Sequence, residues 1–176
     1  MLRGNGGYTM LEALIVMSIM AFVAVGAMSM MTSSARCFDD NSVQAFTDTD
    51  AAIAMQMIVN DVREAKSVNI IGGNRLKVIF PKKTDSGYYD RHEPDMTSQI
   101  EFYLSDETGV LGRSGTWLWK SNSTGNRQPL KKDVSDLSFE PDTARSVKIT
   151  IVTQNKAASG IKETQLTERV VYLRNY

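Results

Sequence analysis

Arg3-Gly4-Asn5-Gly6-Gly7-Tyr8-Thr9-Met10-Leu11-Glu12 opens onto residues 13–31, nineteen positions without one charged side chain. Wound as a helix at about 1.5 Å per residue, that run covers roughly 28 Å, close to the ~30 Å hydrocarbon core of a bilayer. The composition therefore predicts a membrane-spanning helix near the N-terminus. Glu12 stands at the apolar end of it, where an ionised carboxylate costs about 2–3 kcal/mol on insertion scales unless a partner offsets the charge. So costly a residue points to a task.

Beyond the apolar run, residues 33–68 contain neither proline nor glycine. Val43, Phe46, Ile53, Met57, Ile58, Val62 and Ala65 recur there at helical spacing, and Asp48, Asp50, Asn60, Asp61, Arg63 and Glu64 supply a polar face. The expectation is one long helix over roughly 8–68, with Gly26 as the place where it would bend, because glycine costs about 1 kcal/mol against alanine inside a helix. Residues 32–41 are polar enough to loosen it locally.

After Gly72-Gly73 the apolar period changes to two. Leu76, Val78 and Phe80, and then Ile100, Phe102 and Leu104, predict strands with one buried face. Between them lies a polar stretch, 81–96, read as a long loop. Residues 109–111 and 117–119 read as a hairpin around Arg113-Ser114-Gly115, and 121–128 as a polar turn cluster. Strand-like runs follow at 134–139, 147–152 and 166–174, the last two divided by a hairpin loop at 155–160. The fold class is therefore α+β, a long N-terminal helix with a membrane-spanning half and then an amphipathic half, packed on an antiparallel β-sheet. Phe80, Phe102, Leu137, Ile149 and Leu173 are the expected core of the sheet side.

The totals exclude more than they assign. Twenty basic and twenty acidic side chains leave no net charge to attract nucleic acid. The doublets Lys82-Lys83 and Lys131-Lys132 read as solubilising lysines. A single cysteine, Cys37, forbids an internal disulfide, and ten methionines, six of them in or beside the apolar run, form no metal-binding repeat. The one histidine, His92, has no nucleophile paired with it in sequence, so no enzyme is expected. Asp85, Asp90, Glu93 and Asp95 crowd one segment. Calcium uses six to eight oxygens, but their spacing fits no helix-loop-helix calcium site, so Asp85, Asp90 and Asp95 are metal candidates only and no metal or cofactor is expected. Trp117 and Trp119 lie on one face of a strand, where packing is the plainer reading and a subunit contact the sharper one.

The leader resembles the prepilin signal of type IV pilins and pseudopilins: a short segment with one cation, a glycine, an aromatic residue, then Glu as the fifth residue before an apolar run. The later segments Leu111-Gly112-Arg113, 134–139, 147–151 and 171–175 are similar, more weakly, to minor pilins and J-type minor pseudopilins. Pilins often carry a proline in the apolar half, and this chain has none there. The resemblance implies residues 1–7 as leader peptide, 8–31 as transmembrane and filament-core helix, and 32–176 as the second helix half plus an antiparallel β globular domain. It implies prepilin peptidase cleavage between Gly7 and Tyr8, N-methylation of Tyr8, and a subunit-assembly role for Glu12. The partners implied are that peptidase, other pilins or pseudopilins through the N-terminal helix, and membrane lipid. DNA would enter only for a competence filament. The place implied is the bacterial inner (cytoplasmic) membrane, single-pass with the domain extracytoplasmic, and then a periplasmic or surface filament. The alternatives are a single-pass anchored binding module that never polymerises, with an intact leader and indifference to Glu12, and a secreted protein cut after Ser29 or Ala35.

Overall fold

One helix, α1 (Met10–Arg63), carries 54 residues and is about 81 Å long at 1.5 Å per residue. It belongs to a computed structural model that describes residues 9–84, 89–143 and 145–171 and, of these, every side chain except those of 89–93, 96 and 171. The helix runs through residues 32–41 without a break, but it stops short of the expected 68. Glu64 caps it and the next residues turn away, with the Lys66 amide donating to the Ile79 carbonyl at 2.8 Å. Ser67 and Val68 then open a strand, because β-branched Val68, Ile70 and Ile71 favour a pleated surface once the helical stripe has ended at Ala65.

That strand, β1 (Ser67–Ile71), starts a five-stranded antiparallel sheet with β2 (Arg75–Lys83), β3 (Tyr89–Ser105), β4 (Trp117–Asn122) and β5 (Arg127–Lys131) in sequential order. The three turn residues 72–74 include Gly72 and Gly73 at φ 64° and 77°, a conformation that side chains with a Cβ rarely adopt. A second sheet orders β6 (Val134–Thr143), β7 (Ser146–Ala157) and β8 (Gly160–Val171) side by side, again antiparallel. The sheets are tied where the Phe139 amide donates to the Gly73 carbonyl at 2.7 Å and the Val134 amide to the Thr116 carbonyl at 2.9 Å. The α+β arrangement of a long helix on antiparallel strands is thus the observed one.

Four expectations about the strands and their connections are corrected. Much of 81–96 is strand rather than loop, since Pro81 pairs with Pro94 and Lys83 with Tyr89. Two prolines face each other there and the register shifts on both sides of Pro81; neither ring has an N–H for the ladder, so the apolar alternation is lost while the hairpin continues. Residues 109–111 form no strand. β4 pairs directly with β3, Leu104 opposite Leu118. Finally, β5 lies inside and just beyond the expected turn cluster, a short exposed edge strand containing Pro129. The 155–160 loop is tighter than expected, a two-residue turn joining Ala157 to Gly160.

The core gathers one face of α1 against both sheets: Ala54, Met55, Ile58, Val59, Val62 and Ala65 meet Leu76, Val78, Phe102, Leu118, Leu137, Phe139, Ile149 and Ile151. Phe102, Leu137 and Ile149 are buried as expected, Phe80 packs at the margin, and Leu173 lies outside the described residues. Thr47 shows how a polar group is accommodated at this seam. Its hydroxyl donates to the Val43 carbonyl at 2.8 Å and accepts from Asn155 Nδ2 at 3.0 Å, while its carbonyl accepts from Thr153 Oγ1 at 3.1 Å. Phe46, Ile53 and Met57, expected in the buried stripe, point away from the sheets. They lie on a different arc of the helix from Ile58 and Val62, so the stripe read from sequence joined two faces.

Candidate functional site

The apolar segment begins in a closed cap. Thr9 adopts extended backbone geometry as N-cap, and the Glu12 amide donates to its hydroxyl at 3.3 Å. In return the Thr9 amide donates to Glu12 Oε2 at 3.1 Å and the Thr9 hydroxyl approaches the same oxygen at 3.3 Å. This is a capping box, which satisfies two of the four orphan amides at a helix start. The carboxylate also sits where the positive end of the helix dipole favours it. Glu12 is therefore not a bare charge at the end of a membrane helix. Thr9 is the functional residue that sequence reasoning missed; the Thr-x-x-Glu spacing before an apolar run was its signal. Gly7 and Tyr8 lie outside the described residues.

Downstream of the cap, no residue from 10 to 39 is buried, and Leu14, Ile15, Met17, Ile19, Met20, Phe22, Val23 and Val25 are all exposed. An eighteen-residue window in this helix reaches a mean hydropathy of 2.3 with none of it buried. Exposed apolar surface on this scale marks a membrane or protein contact. Ser18 and Thr32 return their hydroxyls to carbonyls four residues back, Leu14 at 2.8 Å and Met28 at 2.9 Å. That leaves little polarity on the surface of the segment.

Where the helix reaches the domain, carboxylates clip it to the sheets. Asp39 accepts from the Ala158 amide at 3.0 Å and Asp40 from the Ser159 amide at 3.1 Å, so the β7–β8 turn is held by two neighbouring aspartates. Lys162 adds an ion pair to Asp40 at 3.6 Å. The hydrogen bond from Ser159 holds the Asp40 carboxyl below its ordinary value, as that from Thr164, helped by Gln44, does for Asp48. On the opposite flank Lys131 pairs with Asp50, and Lys120 with Asp61 at 2.6 Å.

The remaining candidates resolve into structure. Trp119 is buried, its Nε1 donating to the Asp106 carbonyl at 2.9 Å, and its ring centroid lies 6.4 Å from that of half-buried Trp117. Gly109, at φ 66°, lies so close over Trp119 that a Cβ would come within 2.8 Å of the indole. Tyr103 and Ser105 tie the same 106–116 loop through the carbonyls of Gly109 and Val110. The tryptophan pair is thus packing, which pins a loop. Asp95 accepts from both the amide and the hydroxyl of Thr97, a local turn that uses its carboxylate. Asp85 and the side chains of Asp90, His92 and Glu93 lie outside the described residues; among those described, no group of three or more His, Cys, Asp or Glu side chains comes together. Lys131 is committed to Asp50, and Cys37 is exposed.

Residues 2–28 match the family described as the prokaryotic N-terminal methylation motif. No curated protein and no solved structure matches the chain. The matched residues include the Thr9–Glu12 cap and most of the exposed apolar segment, and the motif with its apolar helix is consistent with a type IV pilin-like protein. It implies a precursor processed by prepilin peptidase, assembly with other pilins, and anchoring in a membrane.

Proposed function

We propose that this chain is a minor pilin or minor pseudopilin, a structural subunit of a type IV pilus or of a type II secretion or competence-type filament, rather than an enzyme. The observation that carries the reading is a coincidence of place. The described part of the methylation motif, residues 9–28, coincides with the N-terminal end of α1, a stretch left exposed among the described residues.

In this reading prepilin peptidase cuts between Gly7 and Tyr8 and the new amine is methylated. The helix first anchors the subunit in the inner membrane, its domain extracytoplasmic, and afterwards packs in the filament. Glu12 has two successive tasks. In the single subunit its carboxylate caps the helix through Thr9. In the filament it pairs with the positive α-amino group of Tyr8 on a neighbour, which offsets the desolvation of both and fixes their register. Thr9, adjacent to Tyr8, keeps the carboxylate oriented until that partner arrives.

The test is the mass and N-terminal sequence of the membrane-extracted protein from cells with and without the peptidase. A start at Tyr8 carrying one methyl group, dependent on the enzyme, is the expected result. A start at Met1 would leave a single-pass anchored binding module, and a start after Ser29 or Ala35 a secreted domain.

A further inference from the structure

Among the described residues one buried side-chain polar atom has no hydrogen-bond partner, the Nε of Arg75. A native fold satisfies nearly all such atoms, so the exception calls for a reason. Arg75 opens β2, and it points to the face of the five-stranded sheet opposite to Leu76 and Phe102, which meet α1. A guanidinium offers five N–H groups. The bond made here runs from Nη2 to Glu101 Oε2 at 3.0 Å. The other oxygen of that carboxylate lies 4.0 Å from Lys77 Nζ, so Glu101 is shared between two cations. On the same face, in the cross-strand row that holds Lys77 and Glu101, stands Arg127.

Arg75 lines a recess of about 260 Å³ where the 106–116 loop meets this outer face. Asn74 and Tyr103 line it from the sheet, and Leu111, Arg113 and Ser114 from the loop. The loop is a fixed wall. Tyr103, Ser105 and Trp119 hold it through the carbonyls of Gly109, Val110 and Asp106. At Gly115 its backbone lies so close to the end of β3 that a Cβ would overlap the Ser105 carbonyl. Arg113 Nη1 bonds Asp106 Oδ2 at 3.1 Å, and the other oxygen of Asp106 is taken by the amide and hydroxyl of Thr108. Each of the two arginines is thus paired with one carboxylate, and each has further N–H groups to give beside one recess.

We propose that this recess is a binding site for a small organic monocarboxylate, held between Arg75 and Arg113 with a short apolar body against Leu111. Guanidinium forks match two coplanar oxygens, and charge strengthens each bond. The charge of the ligand is limited to one, because Glu101 and Asp106 stand beside the same arginines and repel a second negative charge. The Ser114 hydroxyl and the Asn74 amide supply neutral donors, while Leu111, 40% exposed, supplies the apolar contact. The volume sets the size, since pockets for drug-sized ligands begin at about 300 Å³. The site lies on the side of the sheet away from α1, so the inference is independent of whether the chain assembles into a filament.

NMR of the full-length chain in detergent micelles tests this at two signals, the Arg75 Nε–H, which burial protects from exchange, and the Ser114 amide. The probe is isovalerate, compared with isovaleramide, which has the same shape without the charge, and with inorganic phosphate. Isovalerate is expected to shift both signals saturably, with a dissociation constant on the order of 1 mM. Isovaleramide is expected to leave them in place, and phosphate to bind about fivefold more weakly or less tightly still. Arg113→Gln is expected to weaken isovalerate about tenfold. Arg113 is 58% exposed, so the amide spectrum of the core stays that of the parent chain. Arg75→Lys keeps the charge and loses the fork, and its binding, read at Ser114, is expected to weaken by a similar factor. No saturable shift up to about 50 mM isovalerate, well above the expected constant, overturns the site. So do equal shifts with isovaleramide, phosphate binding as tight as isovalerate, or parental affinity in Arg113→Gln.

Discussion

The two halves of α1 share one unbroken helix and differ in what stabilises them. In residues 10–38 every side chain is exposed, although this is the most apolar part of the chain. In residues 47–62 seven side chains are buried, and they include Ala51, Ala54 and Thr47, small or polar residues chosen for fit more than for hydrophobicity. Apolar content and intramolecular burial are therefore uncoupled along this helix. The second half is stabilised by its own sheets, while the first has no covering partner among the described residues and presents an apolar surface suited to a bilayer or to another protein.

Substitutions that strike one half and spare the other would break that comparison if it is wrong. The largest effect is expected at Glu12. In the proposed filament, Glu12→Ala would remove one partner of a pair buried only on assembly, an expected cost of about 3–5 kcal/mol there, while unfolding of the domain in detergent stays unchanged. Glu12→Gln sharpens the result, because glutamine at this position can preserve the capping box and still lacks the charge. Filament yield falling as far with Gln as with Ala assigns the loss to charge. Recovery with Gln would assign it to the cap.

The converse pair is Ile58→Ala and Ile19→Ala. Ile58 is fully buried among both sheets, and its truncation is expected to cost about 2–4 kcal/mol in denaturant unfolding of the detergent-solubilised chain. Ile19 is exposed, so the same truncation is expected to change unfolding by less than about 0.5 kcal/mol. A comparable loss at both positions would mean that the two halves fold as one unit.

Much of this division is legible in the amino-acid sequence. The apolar run, the leader spacing and the position of Glu12 are local signals, and the helix and most strands follow from their periods. What stays hidden depends on contacts distant in sequence. Phe46 and Ile58 both fit a helical period, and only the sheets decide which face turns inward. The hairpin through 81–96 is masked by Pro81 and Pro94, which are harmless only because they face each other. Asp48 and Asp50 read as part of a solvated face because their donors, Thr164 and Lys131, lie 116 and 81 residues away. At the candidate site Thr9 is readable as a local Thr-x-x-Glu box, but the box is overshadowed by the larger signal of Glu12 against the apolar run.

A smaller effect belongs to Thr9 itself. Thr9→Ala leaves the Glu12 charge in place and removes its hydroxyl partner, at a cost of about 1 kcal/mol to the first turn. Amide exchange at residues 10–13 in detergent is expected to accelerate, with filament yield only mildly reduced. An assembly loss as deep as that of Glu12→Ala would mean that holding the carboxylate ready matters as much as its charge.

The smallest effect, and the one confined to the junction of the halves, is expected from pH. Asp40 and Asp48 are both held below the ordinary carboxylate value, by the hydrogen bonds from Ser159 and Thr164 respectively. A carboxyl depressed in the folded state stabilises it fully above its unfolded pKa, and that contribution is lost as pH falls through the folded one. The β7–β8 turn should therefore stay clipped to α1 from neutral pH down to the ordinary aspartate range near 4 and loosen only below it. The Ser159 amide donates to Asp40, and its exchange, corrected for the intrinsic pH dependence, reports the release. Asp40→Asn should flatten that acid dependence. Residues 13–31 contain no side chain that titrates in this range, so their protection in detergent should be indifferent to the same acidification. If acid loosened the apolar half together with the turn, the aspartate clips would be governing the whole helix, and the boundary between its halves would lie elsewhere than at Asp39 and Asp40.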